Sequence, residues 1–401
     1  MGLSGEGKGE KRMGLGPRYL VALVVFALLM SLPFPRGHCQ EIETGAASAI
    51  LLAGGTGEVL FEKDPHTPRA PASMTKIMTL LLAFDAINAG RITLRDQVAI
   101  TEGVKTLGED PGTWVWLEPG EIWSLEELLV AIAVASANDA CVAVAEHIAG
   151  NESIFVELMN QRAQDLGMEN THFQNSHGLS ADEHYMSAYD TALLSREASK
   201  HAGLLKLTSI YEYPGFRPEP RRLDLWNTNK LLVWYEGVDG LKTGWTEEAD
   251  YCLAATAQRN GLRLISVVMG CGAANTHFSE SIKLLQYGFA NYFSQRAVSK
   301  GQILEQIPVL RGKEQAIGLV AAEDLDVILP KGEKDFTVKV NLERKVLTAP
   351  VDAGTECGQI QVWRGNKITA SVALVASRSV ERGNFLLSSW RFFKKWFQFG
   401  G

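Results

Sequence analysis

Positive charge is in short supply in this chain. Its 39 Lys and Arg against 46 Asp and Glu leave a formal net charge of -7. That balance excludes a general nucleic-acid binder, which would be basic overall. Cysteine is scarce as well: five in 401 residues, following no framework spacing and forming nothing like a zinc knuckle. His172, His177 and His184 are the nearest approach to a metal cluster, and their spacing fits no zinc motif, so neither a metal nor a cofactor is expected. The apolar run from Tyr19 to Leu32 is too short for a comfortable membrane span.

That run has a different reading. Lys8, Lys11, Arg12 and Arg18 precede it, Pro33 and Pro35 end it, and Gly37-His38-Cys39 offers small residues to a signal peptidase. Residues 1–39 are therefore read as a secretory leader cleaved before Gln40, with a retained anchor as the alternative. Cys39 leaves with the leader. Cys141, Cys252, Cys271 and Cys357 lie far apart, mostly in or beside apolar runs, and are expected as buried free thiols.

Residues 40–295 alternate strand and helix patterns. Ser48 to Leu52 and Glu58 to Phe61 flank a Gly-rich turn and predict a hairpin. Ser73 opens a helix carrying Ile77, Leu80, Leu81 and Phe84 on one face and closing at Asn88 to Gly90. Leu125 to Ile148 reads as one or two apolar helices, and Ile154 to Leu166 as an amphipathic one. Tyr251 to Thr256 and Arg263 to Met269 predict buried strands joined at Gln258 to Gly261, before a closing helix from Ser279 to Phe293. Over 296–380 short alternating strands, among them Phe336 to Leu342, Ile360 to Trp363 and Ala370 to Ala376, predict a small all-β domain. In the tail, 384–401, Leu386, Trp390, Phe393, Trp396 and Phe397 share a helical face opposite Arg391 and Lys395. This fits an amphipathic helix lying on a membrane surface, or one packed on its own domain.

Three strings carry chemistry: Ser73-Met-Thr-Lys76, Ser136-Ala-Asn138 and Lys242-Thr243-Gly244. At average composition Ser-x-x-Lys or Ser-x-Asn occurs about once in a chain this long, and Lys-Thr-Gly on the order of a tenth of a time. Their joint appearance, ordered and in suitable contexts, is the signal. Ser73 sits at a helix start with Lys76 one turn on. A lysine can take a serine proton if burial, a neighbouring cation such as Lys242, or the helix N-terminus disfavours its charge. The bland alternative has Ser73 capping its helix. Ser136 and Asn138 interrupt an apolar stretch and need partners. Ser136 suits proton relay and Asn138 suits holding an amide; helix–helix bonding is the alternative. Lys242, Thr243 and Gly244 lie at the start of an expected edge strand, where an extended peptide can pair by its backbone. Lys242 and Thr243 would meet a terminal carboxylate, and Gly244 removes a side chain where substrate backbone approaches.

With these strings stand Pro71-Ala72, Asp139-Ala-Cys141, Asn170-Thr-His-Phe173, His177-Gly178-Leu179, Gly237-Val-Asp-Gly240 and Arg263-Leu-Ile-Ser-Val-Val-Met-Gly270. Together they make the chain, from about Ile42 onward, resemble the serine-type D-alanyl-D-alanine carboxypeptidases, the low-molecular-mass penicillin-binding proteins. The resemblance implies a penicillin-recognising, β-lactamase-like α/β (α+β) fold with an antiparallel sheet and a helical subdomain, then the β domain and the membrane-binding tail. It implies that Ser73 attacks the penultimate D-alanine carbonyl of a peptidoglycan stem peptide, with Lys76 as candidate base and the Ser73 and Trp245 N–H groups as oxyanion hole. β-Lactams would acylate the same serine, in an exported protein at the outer face of the cytoplasmic membrane. Two departures stand out. His277 occupies a position where many relatives carry an arginine that assists carboxylate recognition. Trp114 and Trp116 lie in a lid-like stretch, where they could stack on substrate or pack on the protein. A D,D-endopeptidase needs the same groups. A β-lactamase of the same superfamily would carry Glu-x-x-Leu-Asn, which is absent; Glu157-Leu-Met-Asn160 is one residue short. A non-catalytic penicillin sensor would acylate slowly and release no D-alanine.

Overall fold

The structure, a computed structural model, describes residues 42–107 and 112–383, besides Gly2. The leader read over 1–39 and the tail helix read over 384–401 lie outside the described residues. Five antiparallel strands make the central sheet: β1 (Ser48–Ala53), β2 (Val59–Lys63), β3 (Val238–Thr246), β4 (Asp250–Arg259) and β5 (Leu262–Cys271). Their order is β2-β1-β5-β4-β3, so β3 is an edge. β1 and β5 are buried on both faces, which is why they read as unbroken apolar runs. Ile50, Leu52, Ile265 and Val267 belong to the main apolar cluster. The alternate residues Leu51 and Leu264 meet Gly288, in the last helix of this part, on the other face.

The helices that matter to the site are α1 (Lys76–Asn88), α2 (Leu125–Val130), α3 (Asn138–Ala149), α4 (Glu152–Asp165), α5 (Ala188–Ala198) and α6 (Thr276–Asn291). Each of α2, α4 and α5 begins at a polar cap. Ser124 and Glu127 form a capping box, Asn151 accepts from the Ile154 N–H, and Ser187 accepts from the Asp190 N–H. α2 runs into a π-helical turn, Ala131–Ala135, which ends at Ser136 in the left-handed region (φ 64°) before α3 starts. The long apolar stretch is thus two helices with the serine at the break.

Several bounds differ from the sequence reading. β3 starts at Val238, four residues before the expected strand start at Lys242, because Gly240 and Leu241 pair with Thr256 and Ala255 of β4. α6 starts three residues earlier than expected, at Thr276, and gives way to a strand at Tyr292. That strand, Tyr292–Val298, pairs with Leu325–Pro330. A six-stranded sheet follows, ordered Thr337–Leu342, Glu356–Arg364, Lys367–Ala376, Ala316–Ala321, Ile303–Leu310, Leu347–Thr348. It has its own core, with Leu319, Val327, Leu329, Ile360, Val362 and Leu374 nearly free of solvent. The four described cysteines are buried free thiols, as expected. Among the described residues no helix is long and apolar enough to cross a membrane.

The α+β and all-β parts lie in one compact unit. Arg364 joins them: its guanidinium donates to Glu58 on the Gly-rich β1–β2 turn at 3.1 Å and to the Ile328 carbonyl at 2.7 Å. Half-buried, charge-assisted bonds of this kind contribute about 1–2 kcal/mol. Arg364→Ala is accordingly expected to lower the unfolding free energy by about that amount in urea titration.

Candidate active site

Ser73 sits on a single 3-10 turn, Ala72–Thr75, that leads into α1. No side chain caps this turn, so the capping role weighed for Ser73 is not what its hydroxyl does. Instead its Oγ accepts a hydrogen bond from Lys76 Nζ at 2.9 Å. Ala72 just before it has φ 47°, a left-handed conformation that costs an L-residue energy and persists only where the surroundings impose it. One imposing neighbour is Gly178 (φ +90°), where any Cβ would run into the Ala72 carbonyl oxygen. Gly244 is the other. A Cβ there would lie 2.9 Å from the Pro71 carbonyl oxygen and 3.2 Å from Ala72 Cβ. The protein's own Ser73 turn therefore demands this glycine, whatever else approaches it.

Lys76 is wholly buried and donates three bonds: to Ser73 Oγ, to Asn138 Oδ1 at 2.7 Å, and to the His177 carbonyl at 2.5 Å. Burial pulls its pKa down to about 8, against the opposing effect of Cys141 and Asp139. Lys242 is also buried, donates to the Thr243 carbonyl at 3.2 Å, and is lowered to about 7 by burial first and by the Lys76 charge second. The sequence reading offered three causes for a weakened Lys76 ammonium; desolvation is the dominant one. His184 and His177 support this corner. The Gln174 N–H donates to His184 Nδ1, so His184 Nε2 carries the proton and donates to Thr75 Oγ1 at 2.9 Å. Burial holds His177 near pKa 3 and His184 near 4, so both are neutral rings at pH 7.

A cleft of about 310 Å³ opens above these lysines. Ser73, Ser136, Asn138, Thr243, Gly244, Trp245 and His277 line it, so every residue singled out from the three strings either faces the cleft or, as Lys76 and Lys242, lies buried beside it. Gly112 and Thr113 form another wall. The Asn138 N–H donates to the Thr113 carbonyl at 2.8 Å. Asp139 accepts from the N–H groups of Val115 and Leu117. From the opposite side Arg217 donates to the carbonyls of Val115 and Trp116, and is itself clamped by Glu121, whose pKa it draws down to about 2. Of the two tryptophans in this stretch, Trp116 is 64% exposed and turned away from packing, with φ 54°. His277 is buried, stacks on Tyr251 (ring centroids 5.4 Å apart, 10° between planes), and is lowered to about pKa 4 by burial and then by Lys230. It is an uncharged ring above pH 5.

Some of these parts were invisible in the sequence. Thr228, Lys230 and Tyr251 line the cleft; only the polar run Asn227 to Lys230 before an apolar stretch hinted at them. Asp139 was quoted as context and turns out to anchor the Thr113–Leu117 wall. The Lys76 contact to the His177 carbonyl needed the fold.

The D-alanyl-D-alanine carboxypeptidase family model matches residues 36–273, and a model for the C-terminal domain of penicillin-binding protein 5 matches 292–382. The chain belongs to the D-alanyl-D-alanine carboxypeptidase family. Among relatives of this family, D-alanyl-D-alanine carboxypeptidase DacF of Bacillus subtilis is 36% identical over 90% of this chain and 92% of its own length. DacD of Escherichia coli is 34% identical over 92% of this chain and 96% of its own. Penicillin-binding protein 5 from Haemophilus influenzae superposes with a TM-score of 0.71 at 32% identity, covering 86% of this chain and 99% of that one. The carboxypeptidase family thus accounts for both parts of the fold, the α+β part and the all-β part behind it.

Asp139 gives this subsection its test. Removing its carboxylate leaves the buried N–H groups of Val115 and Leu117 without their acceptor. Asp139→Ala is expected to cost about 3 kcal/mol of unfolding free energy in urea titration, because the Val115 and Leu117 N–H groups lose their acceptor.

Proposed function

We propose that this chain works as a serine D-alanyl-D-alanine carboxypeptidase with Ser73 as nucleophile and Lys76 as its base. The observation that carries the reading is the Lys76 Nζ–Ser73 Oγ bond of 2.9 Å in a buried setting. A hydroxyl becomes a useful nucleophile only when a neighbour takes its proton, and an ammonium cannot do so. Lys76, lowered to about 8, has an appreciable neutral fraction near physiological pH. Neutral Lys76 takes the Ser73 proton as Oγ attacks the carbonyl of the penultimate D-alanine in a peptidoglycan stem peptide. The Ser73 and Trp245 N–H groups face the developing oxyanion. The C–N bond breaks, Ser136 relays the proton now held by Lys76 to the departing amine, and D-alanine leaves. Water then hydrolyses the acyl-enzyme, returning the acid and Ser73. Asn138 holds the acyl-side amide while the edge strand β3 offers Lys242 and Thr243 to the leaving D-alanine.

β-Lactams acylate the same serine in this reading. Among the described residues no carboxylate side chain lines the cleft, and Glu157 lies exposed on α4. Among the described residues no carboxylate base is therefore placed to drive rapid loss of a penicilloyl group, which disfavours the β-lactamase alternative. The leader sequence and the aromatic face of 384–401 support export and peripheral attachment to the membrane surface. We read the chain as leader, catalytic part, β domain and membrane-binding tail in that order.

Two outcomes test this. Ser73→Ala should abolish both labelling by a fluorescent penicillin and D-alanine release from diacetyl-Lys-D-Ala-D-Ala; unchanged release would refute the assignment. The acylation rate of the unaltered protein should rise with pH through the range set by the two lysines, about 7 to 8, because the proton-accepting form is the uncharged one. A profile flat from pH 6 to 9 would remove Lys76 from the role of base.

A further inference from the structure

We propose that Lys230 supplies the positive charge that recognises the terminal carboxylate of the substrate. This rests on the carboxypeptidase reading above. A carboxylate entering a partly dry cleft needs a charged or multiple hydrogen-bond partner to offset its lost hydration. Four side chains in or beside the cleft are candidates. Lys76 has its three donors committed to Ser73, Asn138 and His177. Lys242 is 1% exposed and carries a reduced charge at pH 7, for the reasons given above. His277 is stacked on Tyr251 and neutral, with Nδ1 buried and unpaired among the described residues.

Lys230 differs from all three. It is exposed, it lines the cleft, and among the described residues no carboxylate pairs with it. Its ammonium lies 5.5 Å from the Trp234 ring centroid. Trp234 meets Phe278 edge-on at 5.4 Å, and Phe278 touches His277 at 4.0 Å, so the ammonium stands over the wall that holds His277. Its charge reaches that ring, since it helps depress the His277 pKa. The backbone under Lys230 is tied down. Asn227 Oδ1 accepts from the Asn229 N–H, Asn229 Oδ1 accepts from the Leu231 N–H, and Asn229 Nδ2 donates to the Gly240 carbonyl on β3. Neighbouring Thr228 Oγ1 accepts from Thr243 Oγ1 at 2.6 Å. The stem is therefore fixed to the Lys242–Thr243 strand while the four-carbon side chain remains free to swing its charge onto a ligand.

The test compares diacetyl-Lys-D-Ala-D-Ala with its C-terminal carboxamide, using the unaltered protein and Lys230→Met. Lys230→Met should lose about tenfold in kcat/KM on the acid, mostly through KM, and keep its rate on the amide. Lys230→Arg should retain the preference for the acid, and Lys230→Met combined with His277→Arg should recover it. Equal losses on acid and amide would mark a structural role and overturn the inference, as would an unchanged KM for the acid. Failure of the carboxypeptidase reading looks different: the unaltered protein would then release no D-alanine from the acid at all.

Discussion

The Lys76 ammonium is the point on which the catalytic part of this protein turns. It is a cation held wholly out of water, and its three donors reach three segments that are distant from one another in sequence: the Ser73 turn, the start of α3 and the His177 loop. A buried charge left short of partners is costly, so the three segments must meet where the lysine can satisfy itself. The same burial that makes this assembly obligatory lowers the pKa of the group and lends it to proton transfer. Structure and reactivity thus have one origin. The left-handed backbone at Ala72 and Ser136, on either side of the cleft, is the strain tolerated for bringing those segments together.

Around this centre the walls are rigid for separable reasons. Asp139 and Arg217 grip the Val115–Leu117 backbone from its N–H and carbonyl sides. β3 is held by pairing with β4 and by Gly244 against the Ser73 turn. The asparagine turns at Asn227 and Asn229 hold the floor next to β3. The cleft is preformed, in keeping with a site that works by orientation and electrostatics.

Much of this was legible in the residues. The hairpins, the helix that follows Ser73, the break near Ser136 and the β domain follow from periodicity and turn chemistry, because each is a local preference that the fold does not override. The three short strings located the cleft because their residues line it or lie buried beside it. What could not be read were contacts made by backbone atoms and by residues whose type is ordinary. A carbonyl such as that of His177 has no sequence signature. Lys230 is an unremarkable surface lysine until the fold sets it beside His277. The neutrality of His277 depends on its burial and on the Lys230 charge, both set by elements distant in sequence. The start of β3 was missed because glycines at 237 and 240 look like a turn, whereas Gly240 is a paired strand residue whose missing side chain leaves room for Thr208.

The four buried thiols have a consequence of their own. Burial raises Cys141 and Cys271 to about 12 and Cys252 to about 11, and also raises Cys357, so none presents the thiolate that oxidants and disulfides attack. The described fold draws none of its cohesion from a covalent crosslink. Folding of the described part should be blind to the redox potential of its surroundings, proceeding alike in an aerated medium and an anoxic one.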